Sequence, residues 1–221
     1  MKSNIAQFFS ILFHPLFAGT YTSILIYGLY DWNNFFYQIT GINKTGYLIT
    51  NIEGNSFTFF QITFFITALL PILFFFLLKK TGFISSIEMD NKKERIIPYL
   101  FCLTCYTSIL LYTLWMGLIL EFYIFGGIIL TLFICFIINL FWKISAHCTS
   151  VAGLIPICIA VHNIYCISDS LVFFSIIVAG IIGTSRLYLQ KHTIKQVFLG
   201  YATGFIIMSF SVELGIISYY L

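Results

Sequence analysis

The sequence predicts an all-α fold, a polytopic membrane helix bundle of about six or seven transmembrane helices. Three observations predict it. Hydrophobic residues make up 60% of the 221 residues and aromatic residues 19%. Charged residues make up only 9%, against about 25% in an ordinary soluble domain, too few to coat a soluble protein of this size. The apolar residues also gather into runs of roughly 20, the length that crosses the hydrocarbon core as a helix. Residues 1–221 therefore read as a single multi-pass integral membrane domain, in a bacterium one of the inner (cell) membrane. With a net charge of +3 and no basic patch among exposed aromatics, nucleic-acid binding has no support.

The first candidate span, Phe8–Tyr30, follows Lys2 and lacks a small-residue cleavage site, so it reads as a retained helix rather than a leader. His14-Pro15 lies about one turn into it, where proline loosens a helix. His14 is a pocket wall or a histidine bonded within the bundle. The second span, Phe57–Leu78, is rich in Phe and suits lipid or core contact. The third, Tyr99–Ile119, opens just after Pro98, a residue suited to a first helical turn. The fourth, Tyr123–Trp142, ends on an interfacial Trp. The fifth and sixth, Thr149–Tyr165 and Leu171–Thr184, are short and form a tight hairpin around Ser168-Asp169. The seventh, Ile194–Ser218, carries Gly200-x3-Gly204, a spacing that marks close helix packing.

Threaded alternately, the spans define two faces. One holds the N-terminus, Lys79–Pro98, Lys143–His147 and Arg186–Lys195; the other holds Asp31–Ser56, Glu121 and Asp169. Every Lys and Arg except Lys44 lies on the first face, which the positive-inside tendency makes cytoplasmic. Asn43-Lys44-Thr45 spells a glycosylation acceptor, a triplet common by chance. Cys102, Cys105, Cys135, Cys148, Cys158 and Cys166 all lie in or beside apolar runs. Cys102-x-x-Cys105 lacks polar flanks and further ligands, so these cysteines read as small buried hydrophobes. His162, about 22 Å along a helix from His147, reads as structural.

Three polar groups interrupt the apolar pattern, all on the first face. Asn91-Lys92-Lys93-Glu94-Arg95 precedes the third span. Lys143-Ile144-Ser145-Ala146-His147 precedes the fifth, whose N-terminus offers free N–H groups to an anion. Ser185-Arg186 ends the sixth span and His192 opens the seventh. His192 and Gln196 are one helical turn apart, so Gln196 can accept the Nδ1 proton and leave Nε2 facing the mouth. Each group also has a plain reading, as a flanking charge cluster or a helix cap.

With these residues in place, the chain resembles the type 2 phosphatidic acid phosphatase superfamily, which includes the vanadium haloperoxidases. That family carries Lys-x6-Arg-Pro, Pro-Ser-Gly-His and Ser-Arg-x5-His-x3-Asp. The third motif aligns with Ser185-Arg186-x5-His192-x3-Gln196, with Gln for Asp. The second aligns with Ile144-Ser145-Ala146-His147. For the first, Arg95 is present, the proline is late at Pro98, and Glu88 stands where the Lys would be. The likeness covers roughly Asn91–Gly204.

The resemblance implies hydrolysis of a phosphomonoester or diphosphate on a lipid, with no cofactor and no metal. His192 would be the nucleophile, His147 the general acid and Gln196 the orienting group. Arg186 and Arg95 would clamp the phosphoryl oxygens, with Ser145, Ser185 and the Ala146 N–H assisting. Lys93, Lys143 or Lys92 would stand in for the motif lysine. Partners would be a phosphorylated lipid (phosphatidate, phosphatidylglycerol phosphate, polyprenyl diphosphate or a lipid A phosphate) and membrane lipids. Bacterial relatives usually work on the external face, opposite to the basic-residue count. The alternative is a weakened or inactive member that binds phosphate or lipid, or a structural subunit. A transporter would need paired broken spans, of which only His14-Pro15 and Pro71 give any hint.

Overall fold

A computed structural model describes residues 2–28, 56–89, 91–165 and 169–221. Lys44, the Asn43-Lys44-Thr45 triplet, Cys166 and Ser168 lie outside the described residues. Among the described residues all regular structure is helical, with no strand. The helices are α1 (Lys2–Leu12), α2 (Ala18–Ser23), α3 (Ser56–Phe64), α4 (Leu70–Lys80), α5 (Ile96–Trp115), α6 (Ile119–Phe141), α7 (Ala146–Tyr165), α8 (Ser170–Tyr188) and α9 (Ile194–Tyr220). They make up 7 stretches long and apolar enough to cross a membrane.

Three of those stretches are not continuous α-helix; one of them, Lys92–Trp115, opens on a 3-10 turn at Lys92–Arg95 before α5. The first, Ser3–Tyr27, breaks at His14, whose backbone is extended (φ −66°, ψ 138°). Pro15–Phe17 then make a 3-10 turn before α2. The second, Thr58–Lys80, joins α3 to α4 through a π-helical turn at Phe65–Leu69, just ahead of Pro71. A proline without N–H favours such a local widening.

The structure moves several expected boundaries. The first span begins at Ser3 rather than Phe8, so His14 sits well inside it rather than one turn in. The sixth runs Ser170–Tyr188, past the expected end at Thr184. The third begins at Lys92 and the fourth at Ile119. For the third, fourth and sixth spans the physical reason is common. Hydropathy falls at Ser185, Arg186, Arg95 and Glu121, but each is buried against a neighbouring helix and the backbone continues through it.

α9 packs along α7 and α6, α5 along α6, α8 along α7, and α1 along α8. The α7–α9 contact is close because of the glycine pair. A Cβ on Gly204 would lie 2.0 Å from the Thr149 carbonyl oxygen, and one on Gly200 2.8 Å from that of Ser145. The main core gathers Ile26, Phe59, Ile109, Phe125, Ile157 and Met208 from six spans. Burying one such side chain contributes about 1.5–3 kcal/mol against water, though in lipid close packing is what discriminates. Phe76, Trp115, Phe173, Phe198 and Phe210 point outward. At the far end, Tyr27 Oη donates to Glu121 Oε1 at 2.7 Å, and His162 Nε2 lies 3.2 Å from Asp169 Oδ1.

Helix ends position the site. At the end of α8, Lys191 N–H donates to Arg186 O at 3.1 Å and Gln190 N–H to Leu187 O at 3.0 Å. This is a Schellman turn, with Gln190 in the left-handed conformation (φ 53°). It turns the chain back across the helix end, so that His192 arrives over Arg186. At the end of α5 the same turn uses Gly117 (φ 70°).

Candidate active site

The three polar groups meet at one end of the bundle. Arg95 Nη1 donates to Ile144 O at 3.3 Å, joining the run-in to α5 with the run-in to α7. Lys191 Nζ lies 2.6 Å from Glu88 Oε2, joining the α8–α9 loop to the loop after α4. Lys92 Nζ donates to Leu140 O at 3.0 Å and Phe141 O at 2.9 Å, closing the C-terminus of α6. Asn139 Nδ2 returns a bond to Lys92 O at 2.8 Å.

These contacts surround a cavity of about 430 Å³. Arg95, Arg186, His147, His192, His14 and Ala146 all line it. Both arginines and His192 are buried; His14 and His147 are half-buried. Arg186 lies within electrostatic reach of all three imidazoles. Arg95 is aimed by its Nε–H, which donates to Met89 O at 2.8 Å. Met89 holds that carbonyl by adopting φ 48°, a left-handed conformation that costs a non-glycine residue about 1 kcal/mol.

The geometry assigns the His192 tautomer. Gln196 Oε1 lies 3.1 Å from Thr193 N and 3.1 Å from His192 Nδ1. A backbone N–H can only donate, so the amide atom facing both is oxygen. His192 Nδ1 must then carry the proton, and Nε2 has the lone pair. Thr193 Oγ1 accepts from Gln196 N–H at 3.4 Å, completing a capping box at the start of α9. Burial, then the charges of Arg186 and Arg95, push the His192 pKa down to about 3, so the ring is neutral at pH 7. Gln196 itself stays behind the ring and does not line the cavity.

His147 is fixed in the opposite sense. Its Nε2 lies 3.1 Å from Ser10 O on α1. A carbonyl only accepts, so Nε2 carries a proton, and in the neutral ring Nδ1 is then bare. The His14 ring meets the His147 ring edge to face, 5.0 Å between centroids and 83° between planes.

Other expected site residues lie elsewhere. Ser145 is fully buried and caps α7: Cys148 N–H donates to its Oγ at 3.5 Å, and Oγ donates to Cys148 Sγ at 3.1 Å. Ser185 faces a shallow groove between α1 and α8 rather than the cavity. Lys93 is exposed on the outer surface, and Lys143 is half-buried near His192 without lining the cavity. The lysine that comes to the cavity rim is Lys191, on Glu88, which does line it. Lys191 and the Ser10 carbonyl carry little signal in the sequence beyond the adjacency of Lys191 to His192. Among the described residues, no group of 3 or more His, Cys, Asp or Glu side chains is placed to hold a metal ion.

Below the polar mouth the walls turn apolar. One face of α7 lines the cavity through Ala146, Ser150, Gly153, Leu154 and Ile157, a depth of about 16 Å. Phe75, Leu132 and Met208 complete that lower part. The fold and site thus define a polytopic helical membrane protein with a histidine- and arginine-lined cavity at one end. No known family model matches the chain, and neither does any curated protein or solved structure.

Proposed function

We propose that this protein is a membrane lipid phosphatase, a divergent member of the type 2 phosphatidic acid phosphatase superfamily. The observation that carries the reading is the single cavity that two buried arginines and two imidazoles share, continued downward by apolar walls. A phosphate fits the cationic mouth, and a lipid tail fits the wall of α7. Arg95 and Arg186 hold the phosphoryl oxygens and neutralise charge as it moves to them. His192 Nε2 attacks phosphorus in line with the leaving oxygen and forms a phosphohistidine, which water then cleaves.

The test is phosphate release by the purified protein in detergent. The panel is phosphatidate, phosphatidylglycerol phosphate, a polyprenyl diphosphate and a lipid A phosphate. Release from at least one substrate, abolished by His192→Ala, is expected; silence on the whole panel rejects the reading.

A second reading is favoured by Gln196, which orients His192 but brings no negative charge to the phosphorylated ring. It makes the protein a binder of phosphorylated lipid, or a structural subunit, without turnover. Retention of a phosphorylated lipid through purification, lost in Arg186→Ala, together with no phosphate release, would favour it.

A further inference from the structure

The first span reaches the cavity through a break in its backbone. Pro15 has no N–H to give the Ile11 carbonyl, its partner one turn back. The His14 N–H turns to that carbonyl instead, at 3.2 Å. The Ser10 carbonyl, one residue earlier, is thereby left to an outside donor, and His147 Nε2 lies 3.1 Å from it. His14 secures the break. It caps the Pro15–Phe17 turn, its Nδ1 accepting from Leu16 N–H at 3.3 Å, and its ring stands edge to face against that of His147.

We infer that the His14-Pro15 break makes Ser10 a positioning residue for His147, presenting that ring to the substrate as a proton acceptor at Nδ1. This rests on the phosphatase reading, and it selects the ionisation state of the substrate. The groups bearing on His147 are His14 from the break after α1, Arg186 from α8 and His192 from the loop before α9. A ring whose one proton is committed to Ser10 has none to give a leaving oxygen at the outset. The suitable substrate is a phosphomonoester that still carries one phosphoryl proton. As His192 Nε2 bonds to phosphorus and the ester P–O bond breaks, the P–O–H proton passes through His147 Nδ1 to the leaving oxygen. The products are the free alcohol and a dianionic phosphoryl group on a cationic His192 ring. In the second half, water bonds to phosphorus while Nδ1 takes its proton and returns it to the departing phosphate. The sum is ester monoanion plus water giving alcohol plus dihydrogen phosphate, with no outside acid or base consumed.

Two measurements test this on the full-length protein in detergent. In the first, histidine ¹⁵N spectra report which nitrogen bears the proton, the His147 signals being assigned by their loss in His147→Gln. Wild-type His147 is expected in the Nε2–H form and His192 in the Nδ1–H form. Pro15→Ala restores the N–H, lets the helix run through and removes the His147 preference. An Nδ1–H form of His147 in the wild type overturns the inference. So does an unchanged preference in a folded Pro15→Ala; if that variant does not fold, the wild-type spectrum decides alone. In the second, phosphate release from phosphatidate should fall about tenfold per pH unit above the second phosphate pKa of about 6, as the monoanion disappears. A rate that holds or rises through that range overturns the proton route. Absence of any phosphate release would instead reject the phosphatase reading and leave the tautomer result standing.

Discussion

Gln196 Oε1 serves two donors at once, the Thr193 N–H and His192 Nδ1–H. Removing it with Gln196→Leu frees the imidazole to rotate and to place its proton on Nε2, the nitrogen that attacks in the proposed mechanism. Phosphate release is expected to fall on the order of 10²-fold or more, by comparison with other orienting groups. Gln196→Asp keeps the oxygen and adds charge, so it should keep or raise the rate. Equal rates for wild type and Gln196→Leu would remove Gln196 from the mechanism. His192 also carries a pH signature. An unfolded histidine takes up a proton near pH 6.5, whereas His192 resists until about 3. Between those values the unfolded chain binds more protons, so acidification destabilises the native state. Denaturation midpoints should therefore drop from pH 6.5 toward 4, and drop less in His192→Gln.

Helix ends and helix contacts carry the next set of consequences. Gln190 occupies the left-handed position of a Schellman turn for which Gly117 serves at the end of α5. Gln190→Gly should raise stability by about 1 kcal/mol while leaving the turn unchanged. Gly204→Ala should do the reverse. Its methyl would stand 2.0 Å from the Thr149 carbonyl oxygen, and backbone cannot retreat as a side chain can. A loss of about 1–3 kcal/mol is expected in thermal unfolding in detergent. The close packing at this pair was legible from its small-xxx-small spacing. The helix ends were not, because hydropathy reads a buried Arg186 or Glu121 as the end of a span when tertiary partners keep it inside one. Nor was the extent of the opening break: the Pro15 signal was visible, but its place deep in a span depends on a helix that already starts at Lys2.

At the scale of the whole molecule, the polar mouth and the apolar shaft make separate demands on a ligand. Leu154 lines the shaft. Leu154→Trp should therefore raise KM for long-chain substrates several-fold while sparing a water-soluble phosphomonoester; equal effects on both would place the tail elsewhere. The sidedness of the mouth is open to labelling. The described cysteines are buried, a Cys166→Ser background removes the sixth, and Lys93 is exposed beside the site. If the basic residues mark the cytoplasmic face, Lys93→Cys in intact cells stays protected from an impermeant thiol reagent. Ready labelling would put the mouth outside. The meeting of Arg95, His147, Arg186 and His192 was legible because motif spacing survives without coordinates. The part played by α1 was not, because it acts through a carbonyl that every residue possesses. That carbonyl has a bearing on biogenesis. The bond from Ser10 to His147 spans 137 residues, so α1 must wait, inserted but unfinished, for a partner made much later. On the phosphatase reading, turnover would then report on completed assembly, and a chain halted before α8 and α9 would be inserted in the membrane yet inert.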